Sequence, residues 1–65
     1  MNAFRSSDGI ELAALAVAHG IAHESHGFDF CGWLIDTFSD SDVDRVRDLS
    51  LRTLYGRFLD ARGAK

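Results

Sequence analysis

The sequence predicts an all-α fold, a compact three-helix mini-domain over residues 1–65. Three observations predict it. Apolar residues recur at three- and four-residue intervals in three successive stretches, which is the 3.6-residue period of an amphipathic helix. Short breaks at Gly27 and Ser39–Ser41 separate the stretches, and short loops between amphipathic helices favour antiparallel packing. Strand-like alternation is confined to Phe28-Asp29-Phe30 and fails from Cys31 to Ile35.

The first helix is expected at about 8–25. Asp8 and Glu11 have the spacing of a capping box. Ile10, Ala14, Val17, Ala18 and Ile21 form one apolar stripe. Gly20 interrupts it at a cost of about 1 kcal/mol relative to Ala, and Gly27 is a natural stop. The second helix is expected at about 28–38, with Phe28, Cys31, Ile35 and Phe38 on one face and Leu34 beside them. Asp29, Gly32 and Asp36 fall on the other. The third and longest is expected at about 41–61. Ser41 serves as N-cap, and Asp42 and Asp44 lie in the first turn. Val43, Val46, Leu54 and Phe58 line its core face, Leu51, Tyr55 and Leu59 broaden it, and Gly63 ends it.

Size bounds function. A 65-residue chain buries only about 60% of its unfolded surface. That supports one small core and leaves little room for a walled pocket of roughly 300–1,000 Å³. The single Cys excludes an intrachain disulfide and hence a stapled secreted scaffold. The apolar run Leu12–Ala18 is too short to span a bilayer and no targeting pattern is visible. A cytoplasmic protein without membrane contact, monomeric or weakly dimeric, is expected.

Reactive residue types are present without reactive spacing. On the expected first helix, His19, His23 and His26 cluster on one face. Two His four residues apart can chelate a metal, but the order His-Glu-Ser-His is not the zinc-protease motif, and a solvated face near a helix C-terminus accounts for it. Cys31 falls on the apolar stripe, where a buried, inert thiol is expected. No triad spacing and no phosphate loop occurs. The residues therefore point away from an enzyme, and no cofactor or metal is expected.

Charge is the most informative pattern. Residues 1–44 carry eight acids and one base, a net of −7; residues 45–65 carry six bases and two acids, a net of +4; together they make the overall −3. Acids crowd at Asp36, Asp40, Asp42 and Asp44. Helix electrostatics is one reading: acids begin the third helix and bases end it, and Asp48–Arg52 is a favourable i,i+4 pair. The other reading is an acidic knob that binds a basic surface on another protein, such as one built for phosphates. The candidate partner-binding residues are Asp29, Asp36, Asp40, Asp42, Asp44 and Asp48.

The short length, the motif-free acidic first half from Asp8 to Asp44 and the run Ser39-Asp40-Ser41-Asp42-Val43-Asp44 resemble the small anti-CRISPR proteins of bacteriophages. The likeness is to short inhibitors of type I (Cascade-type) systems, type I-C among them. These proteins share no motif or fold, so no active site is carried over. The resemblance implies a non-enzymatic protein, acting in an infected bacterial cell, that binds the DNA-binding subunit of a CRISPR surveillance complex and keeps target DNA out. It implies no direct contact with nucleic acid. The basic C-terminal helix departs from a uniformly acidic DNA mimic. The alternative is a small helical DNA-binding regulator using Arg45, Arg47, Arg52 and Arg57 of the third helix. Against it stand the negative net charge and the acidic start of that helix, which would meet phosphates with like charge.

Overall fold

In the computed structural model, which describes residues 2–63, the chain forms four α-helices. These are α1 (Ser6–Ala18), α2 (Gly27–Phe38), α3 (Val43–Asp48) and α4 (Leu51–Gly63), with a 3₁₀ turn, Glu24–His26, leading into α2. Among the described residues there is no strand, only an isolated antiparallel bridge between Ala3 and Asp42. The all-α class holds. The expected third helix is two helices.

α1 begins two residues before Asp8 and ends seven before residue 25. Arg5 occupies the N-cap, and Asp8 is the third helical residue; its Oδ2 accepts from the Arg5 N–H at 2.8 Å. Asp8 thus caps backwards onto Arg5, and Glu11 takes no part. At the other end Gly20 terminates the helix rather than interrupting it. Its φ of 72° is the left-handed conformation that glycine adopts without a Cβ penalty. The Gly20 N–H donates to Val17 O at 3.0 Å and the Ile21 N–H to Ala16 O at 2.9 Å. That pair of bonds is a Schellman cap, so the chain leaves the axis just after His19 and before His23 and His26.

α1 and α2 run antiparallel. A Cβ on Gly9 would stand 2.7 Å from Ile35 Cγ1, whereas one on Gly27 would stand 3.6 Å from Val17 Cγ2. Early α1 therefore meets late α2, and the reverse. Gly9 permits the close approach; Gly27, expected as a stop, opens α2.

The buried faces differ from those expected. α1 buries Gly9, Leu12, Ala13 and Ala16, and α2 buries Phe30 and Leu34. Of the expected α1 stripe, Val17 and Ile21 pack against the core, while Ile10 (59% exposed), Ala14 and Ala18 stay in solvent. On α2, Phe28 is 94% exposed; at 100° per residue it points about 160° from Phe30. The helices are apolar on more than one side, so periodicity alone did not select the inner one. Val43, Val46, Leu54 and Phe58 are all buried, as expected.

The break between α3 and α4 has a local cause. Leu49 is extended (φ −76°, ψ 137°). Ser50 Oγ accepts from the Thr53 N–H at 3.0 Å, and the two hydroxyl oxygens are 2.8 Å apart. This is an N-cap. Leu49 and Leu51, on either side of it, both pack against the core. Asp48 and Arg52 consequently lie on different helices; the expected i,i+4 pair is absent from the ion pairs among the described residues.

Phe30, Trp33, Tyr55 and Phe58 form the aromatic centre, with Phe30 5.3 Å from Phe58 and 5.4 Å from Tyr55 between ring centroids. Phe4 closes the far side, 2% exposed, its ring 6.0 Å from Phe38.

Candidate functional site

The acidic turn between α2 and α3 is built by backbone bonds to the N-terminal strap. Ser41 O accepts from the Phe4 N–H at 2.7 Å, the Asp40 N–H donates to Phe4 O at 3.3 Å, and the Val43 N–H donates to Asn2 O at 2.9 Å. Phe4, seated in the core, anchors the strap. Asp40 has φ 66°, a conformation that Asp and Asn tolerate better than other side chains. Asp42, not Ser41, is the N-cap of α3: its Oδ1 accepts from the Asp44 N–H at 3.0 Å.

These bonds fix Asp40 and Asp42 in the turn; Asp44 follows in the first turn of α3 and Asp36 lies in the last turn of α2. Asp36, Asp40 and Asp44 are exposed and Asp42 is half-buried. The other two candidates stand apart. Asp29 is exposed in the first turn of α2, two turns and about 10 Å along the axis from Asp36. Asp48 is the exposed last residue of α3.

No carboxylate of the acidic turn is in an ion pair among the described residues; both pairs found there belong to Arg47. Arg47 reaches from α3 to α1, donating to Asp8 Oδ1 at 3.2 Å and to Glu11 Oε2. The Glu11 and Asp8 bonds hold its guanidinium above its ordinary value. Asp8 lies below the usual carboxylate range, chiefly through the Arg5 backbone bond; desolvation opposes that shift and Arg47 adds to it. Arg45 stays exposed and, with Phe38, Ser41, Asp42, Val46 and Leu49, lines an open hollow of about 660 Å³ beside the turn. The acidic turn therefore adjoins an apolar-floored depression with one cation on its wall. Periodicity and charge counting did not expose this hollow, nor Arg47's role. The signal for the latter was Asp8 and Glu11, one helical turn apart and short of a base.

α4 presents the other charge. Arg52 and Arg57 are exposed, no acid lies in its first turn, and Arg62 sits 5.4 Å from the Phe58 ring centroid. Arg45 and Arg47 belong to a separate six-residue helix.

The expected histidine face does not form, because α1 ends before it. His19 is the C-cap of α1. His23 Nδ1 accepts from the Ser25 N–H at 3.1 Å and is 2.7 Å from Ser25 Oγ. His26 Nδ1 is 2.6 Å from Tyr55 Oη, which also accepts from the His23 N–H at 3.4 Å. The latter two histidines serve turn and core. No group of three or more potential metal ligands is found among the described residues. Cys31 is half-buried rather than fully enclosed. No helix among the described residues is long and apolar enough to cross a membrane.

No protein-family model, curated protein or solved structure matches this chain.

Proposed function

We propose that the chain is a non-enzymatic inhibitor whose acidic turn docks on the phosphate-binding surface of a nucleic-acid-binding protein. On the resemblance to type I anti-CRISPR proteins, that surface would belong to the DNA-binding subunit of a CRISPR surveillance complex, in an infected bacterial cell. One observation carries the reading. Asp40 and Asp42 are held in the turn by strap and cap bonds and Asp44 follows in the first turn of α3, with no cation in an ion pair with any of the three among the described residues. Unneutralised charge on a preorganised turn steers a basic partner and loses little freedom on docking. The apolar hollow beside it can receive the stem of a partner's Lys or Arg, whose methylenes pack on apolar surface while the head stays polar.

The test must respect the structural duties of these residues. Asn at 40 and 42 keeps the left-handed conformation and the cap; Lys at 36 and 44 reverses exposed charges. The variant Asp36→Lys, Asp40→Asn, Asp42→Asn, Asp44→Lys changes the local charge from −4 to +2. It should keep its circular dichroism and melting temperature. Its inhibition of target-DNA binding by the captured complex should fall at least about tenfold, and more steeply at low salt. Arg52→Glu with Arg57→Glu should do less. Full inhibition by the folded acidic-turn variant would sink this reading.

The second reading, a DNA-binding regulator, gains from one observation. The break at Ser50 separates Arg52 and Arg57 from the acids that begin α3, which removes the like-charge objection for α4. It requires a salt-dependent shift of duplex DNA, abolished by Arg52→Ala with Arg57→Ala.

A further inference from the structure

The turn Glu24–His26 leads from α1 into α2 and meets α4 through Tyr55. Its N-cap is His23, whose Nδ1 accepts from the Ser25 N–H at 3.1 Å. A backbone N–H can only donate, so that nitrogen is bare and the hydrogen of the neutral ring sits on Nε2. Ser25 Oγ, 2.7 Å from the same nitrogen, is a hydroxyl and can turn its hydrogen either way. Tyr55 Oη accepts from the His23 N–H at 3.4 Å and stands 2.6 Å from His26 Nδ1. Accepting on one side, the phenol donates on the other, and His26 Nδ1 is then an acceptor as well.

We propose that this turn is an acid-sensitive latch: a second proton on His23 breaks its cap and loosens the α1–α2 connection from α4. The added hydrogen goes onto Nδ1, where it faces the Ser25 N–H, donor against donor. The hydroxyls of Ser25 and Tyr55 can reverse to accommodate it; the Ser25 amide cannot. Position acts in the same direction. His26 is the N-cap of α2 and His23 lies three residues before it, so both rings stand at the positive end of the helix dipole, where a cation is disfavoured. The two rings are 6.0 Å apart and repel when both are charged. From α4, Arg62 lies over the Phe58 ring that meets His26 edge-on and adds like charge. Glu24 in the turn and Asp29 in the first turn of α2 oppose this by favouring charged rings, yet neither forms an ion pair with them among the described residues. On α1, Asp8 and Glu11 are engaged by Arg47 at the far end of the helix, and His19 is its C-cap. The native turn therefore takes up fewer protons than the unfolded chain as pH falls through the ordinary histidine range, about 6.5. Its stability is present above that range and is lost below it. Asp8 acts in a separate window, below about pH 4.

Thermal melts at about pH 7.5 and about pH 5 test this, since histidine titrates between them and ordinary carboxylates below. The parent's melting temperature should be about 4–8 °C lower at the acid value, the change that one cap bond makes in a domain of this size. His23→Asn keeps a side-chain acceptor for the Ser25 N–H and carries nothing that titrates in this range. His23 is exposed, so the variant should keep the parent's helical spectrum, and its fall should be less than about half as large. His19→Gln should fall like the parent. In the parent at about pH 7.5, ring nitrogen shifts should place the His23 hydrogen on Nε2, and the Ser25 amide resonance should move with the same midpoint as that ring. A parent that melts at one temperature at both pH values overturns the proposal. A His23→Asn variant that falls as far as the parent overturns it too, by moving the sensor elsewhere, and so does a His23 ring that carries its hydrogen on Nδ1.

Discussion

Asp8 shows how one carboxylate serves two elements. It caps the backbone of Arg5 and, with Glu11, holds Arg47 of α3. Its native value is lowered from the ordinary 3.8. Its contribution is therefore fully present above that ordinary value and is lost as pH falls through the lowered one. Asp8→Asn should reduce the melting temperature at pH 7, and the gap from the parent should close in acid below about pH 4. Thermal scans at pH 7 and in acid check this; a gap of constant size would mean that charge is not what Asp8 supplies. The Asp8–Glu11 spacing was legible in the sequence as a capping signal. Which residue they would grip was not, because Arg47 lies 36 residues after Glu11 and only folding brings it near.

At the scale of elements, ends mattered more than faces. The apolar pattern from Val43 to Leu59 reads as one helix, and its core residues are indeed buried. The break at Leu49–Ser50 arises from a serine hydroxyl competing for backbone N–H groups, which periodicity does not register. Ser50→Ala separates the two descriptions. In a continuous helix Ala would be neutral or favourable; at an N-cap its introduction costs about 0.5–2 kcal/mol. Chemical denaturation should show the loss. Gly20 teaches the same lesson. A glycine in an apolar period reads as a weak point, whereas its positive φ closes off α1 just past its C-cap His19 and sends His23 and His26 into a turn.

Across the whole molecule, the N-terminal strap couples core to surface. Phe4 is buried against Phe38 while its backbone holds the turn that carries Asp40. Phe4→Ala should cost about 3–5 kcal/mol, a large part of the roughly 5–15 kcal/mol available to a small domain. It should also free the acidic turn. The amide protons of Asp40 and Val43, which donate to the strap, should exchange faster relative to those of α2. Equal slowing or quickening of all amides would show that the strap does not act locally. A variant of this kind would test whether holding the carboxylates still matters to the proposed inhibition, apart from their charge.

The sequence by itself determined the helical class, the burial of Val43, Val46, Leu54 and Phe58, and the clustering of acids near residue 40. These follow from local spacing: a 3.6-residue period and the proximity of neighbours in a turn. Tertiary structure decided which side of α1 and α2 faces inward. Both helices are apolar around much of their circumference, so several rotations satisfy the period. The close approach at Gly9 and the packing of the Phe30 ring on Tyr55 and Phe58 of α4 select one of them, leaving Ile10 and Phe28 outside. It also decided which charges remain unpaired, because Arg47 is drawn to Asp8 and Glu11 across the fold while the carboxylates beside it in sequence are left facing solvent.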